Sequence, residues 1–320
     1  MTSLLQPPLL TRLLAAERIL IAGAGGGFDV YAGLPLALAL QAAGREVHLA
    51  NFSFSNLYGC GLSVWQAPEL ARITPDVQCA DRYFPERSLA RWLRDHGRPD
   101  TVWAFPRTGV QPLRAAYREL VGQLGIDAIL LVDGGTDILM RGDEAGLGTP
   151  EEDMASLAAV AGLAEVPTRL VACLGFGIDA HHGVNHSLVL ENLAALQRDG
   201  GYLGAFSLPA DSPEGALYLD AVEHARNELP EHPSIVHGSI AAALTGGFGD
   251  VRFTERTADS ALFINPLMTL YFGVTVEALA ARHLYLDRLE HTVLLGQVAS
   301  AIGRFQDSLP RQRPPRAYPH

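Results

Sequence analysis

The sequence contains no lysine, and all 24 of its basic residues are arginine. This absence excludes lysine Schiff-base chemistry, covalently held pyridoxal phosphate and a P-loop, because each of them requires a lysine. The 35 acidic residues leave a net charge of −11. Nucleic-acid binding requires a basic surface, so the acidic balance argues against a nucleic-acid partner.

Cysteine and long apolar runs are scarce as well. Cys60, Cys79 and Cys173 are widely spaced, which matches neither a disulfide framework nor a zinc site. Cys60 lies between glycines, but a lone cysteine without a base partner is more typical of a structural residue than of a nucleophile. No apolar run reaches the 18 or more residues of a membrane span, and the N-terminal region lacks the features of a signal peptide. These features predict a cytoplasmic protein without a membrane partner.

Short apolar, β-rich runs alternate with helix-like segments through the first two thirds of the chain. This pattern predicts a Rossmann-like three-layer α/β fold, with a mostly parallel sheet and helices on both faces. The predicted strands span 18–22, 47–52, 101–105, 128–132 and 169–175, and the predicted helices span 32–43, 86–96, 111–124 and 151–163.

The last third is less regular. It predicts helices within 186–201 and 212–230, strands over 202–208 and 261–267, and further helical segments ending near residue 305. We expect a single α/β domain over residues 1–306. The proline- and arginine-rich tail over 307–320 is predicted to be disordered.

A glycine-rich turn, "GAGGGFD", joins the first predicted strand to the first predicted helix of the sheet. Gly23 and Gly25 fit the dinucleotide fingerprint G-x-G-x-x-G, but Phe28 replaces its third glycine. Asn51 stands where an acidic residue would hold the ribose, so an NAD or FAD oxidoreductase is disfavoured. The glycines still allow close approach of a ligand to a helix N-terminus. The ligand-binding candidates here are Gly25, Gly26, Gly27, Asp29 and Asn51.

Asp29 has two interpretations. It either caps its own helix, or it points into a crevice and binds a hydroxyl, an amine or a metal. The sequence leaves both open.

The segment "VDGGTDILMRGDE" places several acids directly after a buried strand. Ligands bind at the carboxyl edge of an open parallel sheet, which is where this segment is expected to lie. Crowded carboxylates favour a cation, a cationic substrate or raised pKa values, although a solvated loop that caps the next helix is the alternative. The candidates are Asp133 and Asp137 for catalysis, Gly134, Gly135 and Thr136 for ligand binding, and Asp29, Asp133 and Asp137 for a divalent cation such as Mg²⁺.

The segment "GIDAHHGVNH" also follows an apolar strand. If a helix begins near Gly183, His182 and His186 share one face and are able to bind a metal together. General acid–base catalysis by one histidine and a purely structural role are the alternatives. The candidates are His182 and His186 for catalysis, and Asp179 and His181 for ligand binding.

A fourth segment, "SIVHGSIAAALTGG", contains His237 as a catalytic candidate and Ser239 as a ligand-binding candidate. A serine hydrolase is disfavoured, because no G-x-S-x-G nucleophile elbow is present.

These four motifs, in this order, resemble an uncharacterised family, domain of unknown function 1152 (DUF1152). The resemblance covers "AGAGGGFDVYAGLPLA", "VDGGTDILMRGDE", "GIDAHHGVNHSLVLENLAAL" and "VHGSIAAALTGGFGD", and extends to about Arg288. It implies a Rossmann-like α/β fold and groups the motifs as one set, but it assigns no reaction. "DGGTD" is also similar to the D-G-G-N-E loop of the D-glutamate cyclases, which by analogy suggests lyase chemistry.

We therefore predict an enzyme that acts on a small polar metabolite by hydrolysis, elimination or group transfer, at an acidic and histidine-rich site. The alternative from another class is a non-catalytic Rossmann-like protein that binds a nucleotide or a sugar. The sequence is compatible with a homo-oligomer. The composite site requires Asp29, Asp133, Asp179 and His182 to line one pocket.

Overall fold

A computed structural model of the chain describes residues 5–250 and 262–317. Within these residues, the strands are β1 (Arg18–Gly23), β2 (Glu46–Phe52), β3 (Trp65–Ala67), β4 (Leu70–Ile73), β5 (Val102–Phe105), β6 (Ala128–Asp133), β7 (Thr168–Leu174), β8 (Tyr202–Ser207) and β9 (Leu270–Thr275). The α-helices are α1 (Pro8–Leu14), α2 (Val30–Ala42), α3 (Pro85–Asp95), α4 (Val110–Leu124), α5 (Pro150–Ala161), α6 (His186–Arg198), α7 (Pro213–Glu228), α8 (Ile235–Leu244), α9 (Val276–Arg282) and α10 (Leu295–Ser308).

The strands form one nine-stranded mixed sheet in the order β3-β4-β5-β2-β1-β6-β7-β9-β8. The five central strands, from β5 to β7, are parallel. Both edges are antiparallel, because β4 pairs with β5 and β3 with β4 at one side, while β9 pairs with β7 and β8 with β9 at the other. The prediction of a mostly parallel sheet is therefore correct for the centre alone.

Helices cover both faces of the sheet. Ile19 and Ile21 of β1 pack into an apolar cluster with α2, α3 and α7, whereas Leu20 and Ala22 pack into a second cluster with α4, α5 and α10. Successive side chains of a strand point to opposite faces, so a continuously apolar strand such as β1 is buried on both. This explains why the central strands were recognisable from sequence.

The five strands and four helices predicted in the first two thirds are present, with ends that differ by at most two residues. The predicted strand over 261–267 is wrong; its first residue lies outside the described residues. Ile264 forms only an isolated bridge with Gly249, and a 3₁₀ turn begins at Pro266. Proline has no N–H to donate to a sheet, and Asn265 caps the turn by accepting from the N–H of Leu267. The strand that follows is β9.

The tail predicted to be disordered is described as far as residue 317, and α10 extends to Ser308. Arg313 forms ion pairs with Asp143, Glu144 and Glu191, which hold this part of the tail against the domain. Residues 318–320 lie outside the described residues.

Cys60 and Cys79 form a disulfide across 19 residues, with their Cα atoms 4.4 Å apart. The sequence predicted no disulfide framework, and this single bond, which removes Cys60 as a thiolate candidate, was not anticipated. The spacing of the cysteines along the chain did not predict this bond, because folding brings residues that are distant in sequence into contact. Disulfides are uncommon in the cytosol, so the bond weighs against the cytoplasmic location, which stays a prediction. None of the described helices is long and apolar enough to span a bilayer.

Candidate functional site

The carboxyl ends of β1 and β6 open into a cavity of about 610 Å³. The chain leaves β1 for β2 on one side, while β6 lies on the other side of β1. Such a reversal of strand order creates a crevice in which open α/β sheets bind ligands. Asp29, Asp133, Asp179 and His182 all line this cavity, as does His237, so all four sequence motifs meet there.

Asp29 links two loops at the floor of the cavity. Its Oδ2 accepts a hydrogen bond from the N–H of Gly25 at 2.6 Å, and its Oδ1 accepts one from the N–H of Gly134 at 3.3 Å. The side chain makes no capping bond to α2. The interpretation of Asp29 as a cap of its own helix is therefore wrong, and its carboxylate faces the cavity.

Asn51 stabilises the glycine loop through hydrogen bonds of its side chain. Its Nδ2 donates to the carbonyl of Gly27 at 2.8 Å and to Oε1 of the buried Glu86 at 2.7 Å, and its Oδ1 accepts from the N–H of Val30 at 3.3 Å. The side chain is fully buried and does not line the cavity. Asn51 was predicted to bind ligand, but its hydrogen-bonding groups are occupied by the protein itself.

Three carboxylates converge in the cavity. One oxygen from each of Asp29, Asp133 and Asp153 lies within 4.8 Å of the other two. Oxygens bound to one Mg²⁺ or Ca²⁺ lie about 2.0–2.6 Å from the ion, and therefore at most about 5 Å from one another. The predicted ligand Asp137 lies outside this group, and its Oδ2 accepts hydrogen bonds from the N–H and hydroxyl of Thr149 instead.

Two oxygens of this group are buried and have no partner among the described residues. Oδ2 of Asp133 and Oδ1 of Asp153 have no hydrogen bond within the described residues. Both side chains are almost fully buried. A buried carboxylate oxygen that is neither hydrogen-bonded nor bound to a cation is energetically costly, so these two atoms indicate a missing partner.

The electrostatics are consistent with the geometry. Burial raises the pKa of Asp133, Asp153 and Asp179 well above the ordinary range, and neighbouring carboxylates raise it further. Burial also raises the pKa of Asp137, and it raises that of Asp29 to about 7. A bound cation would relieve this repulsion and favour the charged forms.

The sequence interpretation missed Asp153, because an acid in the first turn of a helix is explained by the helix dipole. Asp153 and Ser156 lie about one turn apart in α5, within the stretch 152–160 in which every residue is buried. Burial on all sides results from the packing of α5, so no local pattern marked Asp153. Ser156 donates to the carbonyl of Ala24 at 2.8 Å, which packs this face of α5 against the start of the glycine loop.

The contacts around Gly25 explain why glycine is required at this position of the glycine-rich turn. A Cβ at this position would lie 2.8 Å from Oδ2 of Asp29 and 2.9 Å from Oδ1 of Asp153. Any side chain would therefore displace two of the three converging carboxylates.

The acidic loop is held by Asp179. Its Oδ2 accepts from the N–H of Thr136 at 2.7 Å, and a Cβ on Gly135 would lie 2.5 Å from the same oxygen. Gly134 lines the cavity beside Asp29, whereas Gly135 and Thr136 do not. These two predicted ligand-binding residues therefore contribute to the shape of the loop.

The histidines divide into two groups. His181 and His182 belong to a 3₁₀ turn over Ile178–His182 and line the cavity, with their ring centroids 3.9 Å apart. Burial, and then His181, lower the pKa of His182. Gly183, at φ +87°, ends this turn, and α6 begins at His186.

His186 does not line the cavity and packs against the ring of Phe176. The predicted shared helix face of His182 and His186 is therefore wrong, because the break at Gly183 separates the two histidines.

His237 lines the cavity but is only 1% exposed. Its Nε2 lies 2.9 Å from the carbonyl of Phe28, and its Nδ1 lies 2.7 Å from the hydroxyl of Tyr218. Burial lowers its pKa to about 4, so the ring is neutral and its Nε2–H donates to Phe28. His237 thus supports the glycine loop. Ser239 is buried, donates to the carbonyl of Ile235 and does not line the cavity.

Two residues at the cavity mouth were not recognised in the sequence. The guanidinium of Arg107 lies 5.2 Å from the ring centroid of Phe54, and its Nη2 lies 3.0 Å from Oε1 of Glu152. Both Arg107 and Phe54 line the cavity. Neither belongs to a motif, so only their spatial position identifies them.

A family model described as "Protein of unknown function (DUF1152)" matches residues 84–304. The chain belongs to this family. The DUF1152 match contains Asp133, Asp153, Asp179 and His182, whereas Asp29 precedes it. No curated protein matches the sequence.

Proposed function

We propose that this DUF1152 protein is an enzyme that binds a divalent cation through Asp29, Asp133 and Asp153, and acts on a small polar metabolite in the cavity. One observation carries the proposal: oxygens of three carboxylates lie within 4.8 Å of one another, and two of these side chains have a buried oxygen without a partner in the described residues. Hard cations such as Mg²⁺ and Ca²⁺ prefer such oxygen ligands.

The position of the cavity supports a Rossmann-like description of the fold. The site lies where the order of the parallel strands reverses, and a glycine-rich turn leads from β1 into α2 beside it. This is the usual place for small-molecule sites in doubly wound sheets.

The chemistry follows from the groups that share the cavity. A divalent cation would polarise a substrate oxygen or lower the pKa of a bound water. His182 lines the same cavity, and its lowered pKa keeps the imidazole neutral and able to accept a proton near neutral pH. Hydrolysis, elimination and group transfer all combine a polarised oxygen with a general base.

Calorimetric titration with Mn²⁺ and Mg²⁺ tests the cation site. We expect wild-type protein to bind one cation. Asp133→Asn and Asp153→Asn should weaken cation binding more than about 100-fold, because even substitutions of residues that only contact the metal ligands lower metal affinity about 10- to 100-fold. Asp137→Asn is the matched control. It removes a charge from the same cavity but no ligand, so its effect should stay below about tenfold.

Thermal unfolding establishes that each variant is folded. Absence of cation binding to folded wild-type protein would overturn the proposal. A protein that binds a metabolite without turnover and without any effect of chelators would support the alternative of a nucleotide- or sugar-binding protein.

A further inference from the structure

We propose that the substrate is a phosphorylated metabolite whose phosphate bridges the cation and an N–H cradle formed by Gly26, Gly27 and Phe28. This inference rests on the proposed function, because the cation must be bound first. It adds the chemical class of the substrate and the surface that recognises it.

The cradle is a run of three main-chain N–H groups. Those of Gly26, Gly27 and Phe28 donate no hydrogen bond within the described part of the chain. The flanking N–H groups are occupied, since Gly25 donates to Asp29 and Asp29 donates to the carbonyl of Gly26. All three cradle residues line the cavity. Consecutive N–H groups in a turn form concavities that bind anions.

The cradle adjoins the carboxylates. The Cβ position of Gly25 is 2.8 Å from Oδ2 of Asp29 and 2.9 Å from Oδ1 of Asp153, and Gly26 is the next residue. Consecutive Cα atoms are only about 3.8 Å apart, a distance that one phosphate can bridge. The unpartnered oxygens of Asp133 and Asp153 are an independent indication of a ligand here. Mg²⁺ is commonly held by carboxylates together with substrate phosphates.

Arg107 provides a positive charge at the mouth of the cavity. Phe54 covers Gly26, because a Cβ on Gly26 would lie 2.2 Å from the Phe54 ring, and the Arg107 guanidinium lies beside that ring. Arg107 is the arginine that lines the cavity within the described residues. Guanidinium groups bind phosphate oxygens in a two-pronged manner.

A phosphate fits this set of donors better than a carboxylate does. Three N–H groups, a guanidinium and a cation supply more partners than the two oxygens of a carboxylate can use. Without the cation, the buried acids offer an anion no attraction, because each of them either holds a proton or carries a negative charge. Phosphate binding should therefore depend strictly on the cation.

Inorganic phosphate is the probe. We expect it to bind full-length protein loaded with Mn²⁺, with strong broadening of its ³¹P resonance by the paramagnetic ion, and not to bind metal-free protein. Arg107→Gln should weaken phosphate binding at least about tenfold, as expected for a charged hydrogen bond, while Mn²⁺ affinity is unchanged.

Arg118→Gln is the matched control. Both arginines are about half exposed, at 56% and 55%, and each pairs with a glutamate, but Arg118 does not line the cavity.

In Mg²⁺-loaded protein, phosphate should shift the amide resonances of Gly26, Gly27 and Phe28 more than that of the surface residue Gly97.

The outcomes separate the two proposals. If Mn²⁺ does not bind, the proposed function fails. If Mn²⁺ binds but phosphate does not, or if phosphate binds equally to metal-free protein or to Arg107→Gln, the phosphate inference alone is overturned. Unmoved cradle amides despite phosphate binding would also overturn it.

Discussion

Among the single residues, Asp29 shows how burial between two loops changes the pKa of a carboxylate. N–H groups from the glycine loop and from the acidic loop both reach it, yet burial raises its pKa to about 7. The hydrogen bonds favour the charged form and the burial opposes it. Burial has the larger effect, so the pKa lies above its ordinary value.

This pKa predicts a pH dependence of stability. Folded Asp29 retains its proton up to about pH 7, whereas the unfolded residue loses it near its ordinary value of 3.8. The stabilisation that results from the raised pKa of Asp29 is complete below about pH 4, and it is lost as the pH rises through about 7. Between these limits, the free energy of unfolding in EDTA should fall by up to about 1.4 kcal/mol per pH unit through this group.

Urea unfolding at several pH values within this window measures the slope. Asp29→Asn should reduce it, and a saturating divalent cation should reverse the trend by favouring the charged carboxylates. Identical slopes for wild-type and variant protein would contradict the assignment.

At the scale of elements, the N-terminus of α4 is held against the segment that precedes α10. The N–H of Gly109 donates to the carbonyl of Val293 at 2.9 Å, and the N–H of Val110 donates to Oγ1 of Thr292 at 3.0 Å. A Cβ on Gly109 would lie 2.6 Å from the backbone carbonyl carbons of both Thr292 and Val293. This close approach requires glycine.

Two glycines, Gly109 directly before α4 and Gly122 within it, should therefore respond in opposite ways. Gly109→Ala should destabilise the protein by about 1–3 kcal/mol, because rigid backbone must move apart. Gly122→Ala, in the interior of α4 with open space around its Cβ position, should stabilise it by about 0.5–1 kcal/mol. Denaturant unfolding compares the two variants, and a shift of the same sign in both would be inconsistent with these contacts.

The elements also show where sequence interpretation works. Strands such as β1 and β6 were predicted because they are buried on both faces and are continuously apolar. The antiparallel strands β3, β4 and β9, which lie outside the parallel centre of the sheet, were missed, since β3 and β4 are only three and four residues long and β9 follows a proline turn. Their pairing is decided by neighbours that are distant along the chain.

At the scale of the whole molecule, Arg313 connects the tail to the loop that carries Asp137. Its guanidinium pairs with Asp143, the fully buried Glu144 and Glu191. Because Glu144 is buried, loss of Arg313 would leave that charge with fewer partners.

The tail contacts predict a difference between two arginines of one segment. Arg313→Gln should lower stability by about 1–3 kcal/mol, as expected for hydrogen bonds to charged groups. Arg311→Gln, at an exposed position of the same tail, should change it by less than about 0.5 kcal/mol. Thermal unfolding measures both, and equal effects would show that the ion pairs of Arg313 contribute nothing specific.

Several features of this protein depend only on local patterns and could be inferred before the fold was known. The apolar periodicity specified the central strands and their covering helices, the glycines marked the turn after β1, and the missing lysine excluded whole classes of mechanism. These properties follow from neighbouring residues, so no knowledge of the fold was needed to infer them.

Which carboxylates meet depends on the packing of the folded chain. Asp153 on α5 joins Asp29 and Asp133, whereas Asp137 is bonded to Thr149 and His186 is separated from His182 by the turn at Gly183. The physical reason is that a cation site depends on distances of a few ångströms between atoms. Those distances are set by how α5 packs against the glycine loop, which no local pattern contains.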